Sequence, residues 1–379
     1  MYISHIRLRN WKNFKQAEAQ LTQRVFIIGP NAAGKSNFLD AFRFLQEVAM
    51  SGLAEAVAKR AGVSFIRCLA ATSYSHIDLA VTLADESGAR WQYELIFNQD
   101  KASKPVVKKE TVTLVNSGEI LLNRPESGDK NDPERLTQTA LEQVSANKEF
   151  RQIADFLKTI SYQHILPQVV RDPKSFTASP VQNDPFGRDF LMRVWTTNNK
   201  TRDSRLGKIG KALAVAVPQL QELSVQQDEF GAPHLAGRYE HWRPTGAIQQ
   251  ESQFSDGTLR LVGLLWSVFE GTGPLLLEEP EQSLHTEVVR FLTQMFERIH
   301  KFRKVRRQIV MSTHSEEILK DPTIGPEEIL WLQPSPNGTL INSSNEQDRA
   351  LFEAGLSAAD ILLPKSAPAN AAQLPLSLD

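Results

Sequence analysis

The stretch RVFIIGPNAAGKSNFLDAF, from Arg24 to Phe42, joins a short apolar run to a glycine-rich turn and then to an amphipathic run. Its centre, Gly29 to Ser36, matches the P-loop pattern GxxxxGK followed by Ser or Thr. A P-loop lies between a strand and a helix, because its glycines turn backbone N–H groups toward phosphate and the helix N-terminus adds a positive field. The stretch therefore predicts an α/β fold with a phosphate-binding loop.

This loop predicts ATP and Mg²⁺ as ligands. Lys35 would reach the β- and γ-phosphates, and Ser36 would bind Mg²⁺. The residues expected to contact the nucleotide belong to the loop and the first helical turn: Gly29, Pro30, Asn31, Ala32, Ala33, Gly34, Lys35, Ser36 and Asn37. The alternative is a chance glycine-rich turn, and the apolar and amphipathic runs on either side argue against it.

A second apolar run, LLLEEPEQSLH from Leu275 to His285, supplies acidic residues of the kind that a P-loop protein needs. Leu275 to Leu277 predict a short buried strand, and strand ends meet ligands in α/β sheets. Because successive strand side chains point to opposite faces, Glu278 and Glu279 are expected to have different roles. We assign Glu278 to the Mg²⁺ shell and Glu279 to polarising the attacking water. The alternative is a pair of surface acids that close a strand.

A histidine follows the next apolar run, RQIVMSTHS from Arg307 to Ser315. His314 would stand at a strand end, where an imidazole could hydrogen-bond the γ-phosphate or the attacking water. We therefore predict a catalytic role for His314, although a lone histidine is more often a structural residue.

The stretch FSDGTLRLVGLLW, from Phe254 to Trp266, predicts a buried helix that begins at a polar turn. One of Ser255, Asp256 and Gly257 would be enough to cap this helix. The residues alone leave open whether the turn only starts a helix or also faces a ligand.

Five motifs in this order resemble the ATP-binding cassette (ABC) ATPases, in the branch that contains RecF, SMC and OLD-type proteins and the bacterial AAA family ATPases allied to them. The motifs are IRLRNWKNF, GPNAAGKSN, FSDGTLR as the signature, LLLEEPEQSLH as Walker B with the D-loop, and MSTHS with the switch histidine. The resemblance implies an ABC-type P-loop ATPase head with a mixed sheet and an α-helical and β insertion between Walker A and the signature. It also implies a head-to-tail dimer in which Ser255 and Gly257 contact the ATP of the second subunit.

Three features depart from the pattern of this family. Asp256 stands where many cassette proteins have glycine, and Glu278 replaces the usual Walker B aspartate. The Q-loop glutamine has no clear position, and Gln92 is a candidate.

The remaining sequence predicts four regions: an N-terminal ATPase lobe in 1–116, a mixed and mainly helical insertion in 117–250, a C-terminal ATPase lobe in 251–345, and a terminal segment in 346–379 with a disordered tail. Alternating residues predict antiparallel strands near 77–85, 90–97 and 108–115. The polar stretch 123–136 predicts a loop, and helices are expected over 134–159, 186–217 with a break near Asn198, and 284–302.

Composition limits the possible functions. The formal net charge is −1, so bulk charge draws the chain to neither nucleic acid nor membrane. Cys68 is the single cysteine, which excludes an internal disulfide and fits a reducing cytoplasm. No segment approaches the roughly 20 apolar residues of a membrane span, and no signal peptide is evident. We therefore expect a cytoplasmic protein.

The spacing of the motifs narrows the class of cassette protein. More than 200 residues separate Ser36 from Ser255, which is more than a compact transporter cassette has, and no sustained heptads predict a long SMC arm. No acidic pattern of a TOPRIM nuclease follows Ser315. We therefore predict an ATP-driven switch with a separate effector, such as a TOPRIM-type nuclease, in anti-phage defence. The alternatives are a RecF-like repair factor and, less in keeping with the sequence, a transporter subunit.

Three further segments suggest partners. Basic residues outnumber acidic ones between Phe186 and Lys211 and could form a face for DNA without sequence preference: Arg188, Arg193, Lys200, Arg202, Arg205, Lys208 and Lys211. The run 300–307 is also basic, and a solvated face is the alternative for both. In the tail, Gln373, Leu374, Leu376 and Leu378 resemble peptides that dock on the DNA sliding clamp, and an idle tail is the alternative.

Overall fold

A computed structural model describes residues 1–72, 74–172, 184–240, 247–303 and 306–366. The strands in chain order are β1 (Tyr2–Trp11), β2 (Phe14–Gln20), β3 (Arg24–Ile28), β4 (Ile77–Ala84), β5 (Arg90–Gln99), β6 (Pro105–Leu114), β7 (Glu119–Arg124), β8 (Ser161–Gln163), β9 (Leu220–Gln227), β10 (Pro233–Tyr239), β11 (Ala247–Gln250), β12 (Leu275–Glu278), β13 (Ile309–Ser312), β14 (Ile329–Gln333) and β15 (Leu340–Ser343). The helices are α1 (Lys35–Ser51), α2 (Leu53–Ala58), α3 (Val63–Ile66), α4 (Ser127–Asn131), α5 (Arg151–Lys158), α6 (Pro167–Arg171), α7 (Phe190–Thr196), α8 (Asn199–Ala216), α9 (Asp256–Phe269), α10 (Thr286–Val289), α11 (Leu292–Lys301), α12 (Glu316–Leu319), α13 (Glu346–Glu353) and α14 (Ala358–Ser366).

The chain divides into two compact units. The first unit combines Met1–Ile160 with Arg307–Asp379, and the second comprises Ser161–Arg306. The two ends of the chain therefore build one unit together, and the segment between them builds the other.

The first unit contains an antiparallel sheet in the order β2-β1-β4-β5-β6-β7. In β5, buried side chains alternate with partly exposed ones, because one face packs on the core and the other is nearer to water, whereas β4 is buried on both faces. The strands predicted near 77–85, 90–97 and 108–115 are confirmed by β4, β5 and β6.

The first unit also contains parallel strands that carry the P-loop. β3 pairs in parallel with β13 on one side and with β14 on the other, and β15 pairs antiparallel with β14. Residues 25–28 of β3 are buried, as expected of a parallel strand covered on both faces. Aromatic rings of α1 pack on the antiparallel sheet, since Phe44 contacts Trp11 at 5.2 Å and Phe97 at 5.4 Å between ring centroids. This packing fixes the helix that follows the P-loop.

The second unit contains the parallel pair β8 and β12 and the antiparallel sheet β11-β10-β9. The apolar side chains of α9 are buried along its length, which confirms the buried helix predicted from Leu259 to Trp266. The break predicted near Asn198 is also confirmed, because Thr197 is extended and Asn198 is non-helical, which separates α7 from α8.

The loop predicted for the polar stretch 123–136 is wrong, because this stretch forms the end of β7, the helix α4 and a 3₁₀ turn over Pro133–Thr137. Arg124 explains the order. Its guanidinium donates to Asp129 at 2.9 Å and to Glu110 at 3.1 Å, and the backbone N–H of Glu126 donates to Asp129 at 3.0 Å. Asp129 is fully buried. A polar sequence is ordered here because its charges bond to one another.

The helical prediction over 134–159 is confirmed only near its end, because within this range only Arg151–Lys158 is α-helical. The backbone N–H groups of Ala140 and Leu141 donate to the carboxylate of Glu110 at 2.7 and 3.1 Å. Backbone donors that bond to a side chain on β6 cannot also bond within a helix.

Candidate functional site

The P-loop connects β3 to α1, as predicted. Gly34 is the N-cap residue of α1 with a φ of 96°, and it has no side chain that could cap the helix. Asn31, Ala32 and Ser36 are exposed. The first turn of α1 can therefore offer backbone N–H groups to an anionic ligand.

Two glycines of the loop are required by close approach. A Cβ atom at Gly29, which has a φ of 153°, would lie 2.6 Å from the carbonyl oxygen of Leu332. A Cβ atom at Gly34 would lie 2.0 Å from the Asn13 side chain. Any other residue at these positions would push the loop away from its supports.

The ammonium of Lys35 lies against the loop itself. It donates to the carbonyl oxygens of Gly29 at 3.0 Å and Pro30 at 3.2 Å, and the residue is 7% exposed. A fixed positive charge is therefore held inside the glycine-rich turn.

Asn13 braces the loop from the turn between β1 and β2. Its amide donates to Ala33 at 2.9 Å and to the Thr339 hydroxyl at 2.6 Å, and it accepts from the Asn37 amide at 2.9 Å. Thr339 also donates to Ala33 at 2.9 Å. Asn37, which the sequence assigned to the nucleotide, thus uses its amide to hold Asn13. The motif IRLRNWKNF contains Asn13, but its partner Thr339 could not be identified from sequence spacing.

A pocket of about 670 Å³ adjoins the P-loop in the first unit. Asn13 and Asn37 line it, together with Lys12, Phe65 and Arg67. Phe65 is 69% exposed. The pocket offers a flat apolar ring and two cations, which suits a ring system attached to phosphates.

His314 lies at the same sheet edge as the P-loop. It is exposed and follows β13 directly, and β13 pairs in parallel with β3. The backbone N–H of Thr313 donates to Ile27 at 3.1 Å, while Ser315 caps α12 by accepting from Ile318. Both flanking residues are thus fixed by hydrogen bonds, which positions the imidazole at the carboxyl ends of two adjacent strands.

In the second unit, Glu278 ends β12 and contacts the strand beside it. The phenol of Tyr162 donates to the Glu278 carboxylate, and the His164 ring nitrogen Nδ1 lies 3.1 Å from the Glu278 carbonyl oxygen. Burial lowers the pKa of His164, so its ring is neutral near pH 7 and Nδ1–H donates to that carbonyl. Neither Tyr162 nor His164 was predicted.

Glu279 lies outside the strand, because its φ is 42°. Strand alternation therefore does not determine the direction of the Glu279 side chain, since it applies only within a regular strand. Arg260 of α9, which is 2% exposed, donates to the Glu279 carbonyl oxygen at 2.8 Å, and the Gln282 amide donates to the Glu279 carboxylate. The signature helix thus holds the backbone of this acid.

Gln163 ends β8, and its register partner on β12 is Leu277, the residue before Glu278. It is 4% exposed, and its Oε1 atom has no hydrogen-bond partner within the described ranges. A buried acceptor without a partner costs free energy unless something else binds it. Gln92, the candidate chosen from the sequence, instead lies in mid-strand in β5, paired with Thr82 and Thr113. No group of three or more His, Cys, Asp or Glu residues in these ranges could hold a metal ion.

The signature turn caps α9. Ser255 is exposed, and its hydroxyl accepts from the Thr258 backbone at 3.2 Å. Asp256 pairs with Arg171 of α6 at 2.6 Å, which accounts for the residue that departs from the family pattern. A Cβ atom at Gly257 would lie 2.9 Å from the Ser283 carbonyl oxygen, so glycine is also required for packing within this unit.

Three of the basic residues between Phe186 and Lys211, for which a DNA-binding face was predicted, have acidic partners. Arg188, Arg193 and Arg202 are ion-paired with Asp184, Asp189 and Asp203.

The residues Gln373, Leu374, Leu376 and Leu378 lie outside the described residues. No helix in the described ranges is long and apolar enough to cross a membrane.

The sequence profile of the AAA_21 family, described as "AAA domain, putative AbiEii toxin, Type IV TA system", matches residues 24–320. Comparison with curated proteins found no match. One similar solved structure is an SMC head bound to the C-winged helix domain of ScpA, with a TM-score of 0.54, 13% identity, and coverage of 92% of this chain and 99% of that chain. Another is an SMC head domain with an extended coiled coil bound to the C-terminal domain of ScpA, derived from Pyrococcus furiosus, with a TM-score of 0.54, 12% identity, and coverage of 93% of this chain and 99% of that chain.

These comparisons confirm the α/β fold class and the resemblance to cassette ATPases. The matched profile spans the P-loop, the signature turn, the Walker B run and His314. The chain therefore belongs to the AAA_21 family of ATPases and has the fold of the ABC-type heads of SMC proteins.

Proposed function

We propose that the chain is a Mg²⁺-dependent ATPase that acts as a switch, in which two copies close head-to-tail around ATP and the closed state controls a separate effector. The observation that carries the proposal is the P-loop, in which the Lys35 ammonium is held over a glycine-rich turn at the start of α1. Membership of an ATPase family supports hydrolysis of ATP to ADP and phosphate.

The residues of each unit fit ATP and Mg²⁺. Lys35 and the first N–H groups of α1 would bind the phosphates, and the pocket beside Asn13 would take the nucleoside. Ser36, Gln163 and Glu278 carry the oxygen atoms that Mg²⁺ prefers. The unpartnered Oε1 of Gln163 supports its assignment in place of Gln92. When bound, Mg²⁺ would neutralise charge that develops on the phosphates.

The remaining residues would handle the attacking water. Glu279 would orient the water and accept its proton, and Arg260 would fix the backbone from which this carboxylate projects. His314 would hydrogen-bond the γ-phosphate or the water. These assignments give the proton one defined acceptor.

The proposed dimer rests on the signature turn. Ser255 stands exposed at the start of a 14-residue helix, where the helix N-terminus favours an anion. We assign Ser255 and Gly257 to the γ-phosphate held by a second copy. ATP that binds the closed dimer better than the open one would shift the population toward it.

The effector is proposed to be a protein that damages nucleic acid, such as a TOPRIM-type nuclease, and the role to be anti-phage defence. The description of the matched family names a toxin of a toxin–antitoxin system, which supports defence over repair. The similar SMC heads were solved with a domain of ScpA, which supports a protein partner for this fold.

The test uses tagged Glu279→Gln protein, purified with ATP and Mg²⁺ from its own host, with tagged Lys35→Ala protein as the matched control. We expect Glu279→Gln to bind ATP without turning it over, to remain dimeric in light scattering, and to retain an effector that mass spectrometry identifies. Lys35→Ala should bind no ATP and stay monomeric. Wild-type ATP turnover by Glu279→Gln would remove Glu279 from its role, and recombination proteins in place of a nuclease or toxin would favour a RecF-like repair function.

A further inference from the structure

The two basic segments of the sequence, on α8 and after α11, meet in the second unit at one pocket of about 350 Å³. Three cations come from α8 and one follows α11: Lys200, Arg205, Lys208 and Arg303. Among the described residues, no aspartate or glutamate lines this pocket. We call this site the basic pocket.

Within the described ranges, none of the four cations of the basic pocket forms an ion pair, although Glu270 acts on Arg205 at longer range. By contrast, Arg188 and Arg193, which precede α8, and Arg202 on α8 are ion-paired with aspartates. The Lys208 ammonium lies 4.4 Å from the Phe302 ring centroid, and the Arg205 guanidinium lies 5.3 Å from that of Trp266. Aromatic rings attract cations without neutralising them, so the charge is available to a ligand.

Arg303 is fixed in place by the end of α9. Its guanidinium donates to the carbonyl oxygen of Val268 at 2.6 Å and to that of Gly271. Burial and the nearby charge of Arg205 both lower the pKa of Arg303. Burial lowers the pKa of Arg205, and the charge of Glu270 raises it. Glu270 is itself ion-paired with Arg193. Two guanidinium groups are therefore held close together, and an anion between them would relieve their repulsion.

The other lining residues suit a phosphate with a ring attached. Thr201 and Ser204 supply hydroxyl groups, which can donate to phosphate oxygens. Phe302 lines the same pocket and is 69% exposed, although a phenyl ring of this size is normally buried. Exposed aromatic rings beside cations are the usual platform for nucleobases.

We propose that the basic pocket binds a phosphate group of a nucleotide unit, with the Phe302 ring beside the adjoining base. This site shares no lining residue with the P-loop, and it adds a second nucleotide-recognising surface to the proposed switch. The phosphate can come from a free nucleotide or from a nucleic-acid strand, and the two sources place the same groups in the pocket.

The test measures fluorescence anisotropy of two probes on full-length protein without ATP. One probe is a labelled oligothymidylate, and the other is labelled thymidine monophosphate, used in a Lys35→Ala background so that the P-loop does not compete. Lys208→Gln is the main variant, because the Lys208 ammonium makes only ring contacts. Lys211→Gln is its matched control, since Lys211 lies exposed on the same helix but does not line the basic pocket.

We expect Lys208→Gln to weaken binding about tenfold and to reduce the salt dependence of strand binding by ~0.7 in the logarithmic slope, as for one lost phosphate contact. Phe302→Ala should weaken binding by about fivefold or more. Lys211→Gln should stay within about twofold of wild type. If these variants lose affinity for the oligothymidylate alone, the phosphate comes from a nucleic-acid strand. If they lose affinity for both probes, the pocket recognises the nucleotide unit itself.

Three results would overturn the proposal: no binding of either probe by the wild type, wild-type affinity in Lys208→Gln, or equal losses in Lys208→Gln and Lys211→Gln. ATP turnover is measured separately, and Lys208→Gln should retain it. A protein that binds the strand but hydrolyses no ATP would therefore contradict the proposed switch and leave the basic pocket standing.

Discussion

Gln163 and Gln308 are both buried, but their side-chain amides differ in their hydrogen bonds. Gln308 is 3% exposed and bonds to both the N–H and the carbonyl of Ile3 and to the carbonyl of Thr22, at 2.8 to 3.0 Å. Gln163 is 4% exposed, and its Oε1 has no partner within the described ranges. A group kept at a cost to stability is a candidate for function.

The same substitution at both positions separates these roles. We expect Gln163→Met to raise the free energy of unfolding by about 1 kcal/mol. Methionine is similar in size to glutamine, and it removes the buried acceptor that has no partner. It should also raise the Mg²⁺ concentration needed for half-maximal ATP turnover. Urea unfolding and a Mg²⁺ titration of turnover provide the two measurements.

Gln308→Met is the matched control and should lower the free energy of unfolding by about 1 to 3 kcal/mol, because three bonds are lost. If Gln163→Met also destabilises the protein and leaves the Mg²⁺ requirement unchanged, Gln163 is a structural residue.

The sequence could predict those residues of the candidate site that belong to a short, recognisable motif. Lys35 and Ser36 occur within one P-loop pattern, and Glu278 and Glu279 end one apolar run. Asn13 could not be predicted as a brace, because its partner Thr339 is 326 positions away. Gln163 was missed for the same reason, since its meaning depends on the pairing of β8 with β12.

At the scale of elements, Ser255 has two roles at the start of α9: it caps the helix, and it is proposed to contact nucleotide. Ser255→Ala removes the side chain that accepts from Thr258, which should cost about 1 kcal/mol of unfolding free energy. It should also abolish most ATP turnover, because Ser255 is assigned to the nucleotide of a second copy. Urea unfolding and a phosphate-release assay measure the two effects.

Asn345 provides the control, because it caps α13 by accepting from Asp348 at 2.8 Å. Asn345→Ala should lose similar stability and keep its turnover. Equal losses of turnover in the two variants would mean that capping alone accounts for the effect of Ser255→Ala.

A histidine joins β10 to the turn before α9. His234 Nδ1 lies 2.6 Å from Glu251 Oε1, and its Nε2 lies 3.4 Å from Asp228 Oδ2. The hydrogen bond to Glu251 raises the pKa of His234. A raised pKa in the folded state adds stability below the ordinary value of about 6.5, and this stability is lost as pH rises through the raised value.

We therefore expect His234→Gln to lower the free energy of unfolding more at about pH 6 than at about pH 9. Urea unfolding of wild type and variant at both pH values gives the comparison. A loss that is the same at both pH values would show that packing, and not protonation, makes His234 stabilising.

The sequence predicted elements well where apolar residues set the period. The strands β4, β5 and β6 and the helix α9 follow directly from such periods. The predictions for 123–159 failed because this segment is ordered by buried charged groups, above all its own Arg124 and Glu110 of β6. Buried ion pairs leave no periodic signal in a sequence.

At the scale of the whole molecule, the proposed dimer predicts complementation between two inactive variants. Lys35→Ala lacks a working P-loop, and Ser255→Ala lacks a working signature turn. In a head-to-tail dimer, a mixed pair regains one complete site, which is half of the sites of a wild-type dimer. We expect an equal mixture to recover ATP turnover, up to about half of the wild-type value, measured by phosphate release.

Each variant alone should be inactive at every protein concentration. A mixture that stays inactive, with both variants shown to be folded, would place the P-loop and its signature turn in the same chain.

The pairing of β3 has a consequence for synthesis of the chain. β3 ends at Ile28, but its neighbours β13 and β14 begin at Ile309 and Ile329. At roughly 5–20 residues per second, a ribosome takes about a quarter of a minute to a minute to reach them. Until then the apolar residues of β3 have no strand to pair with and are exposed to wrong association. An unfinished chain therefore lacks the two strands that flank the P-loop strand. We expect it to bind nucleotide only after translation has passed β14.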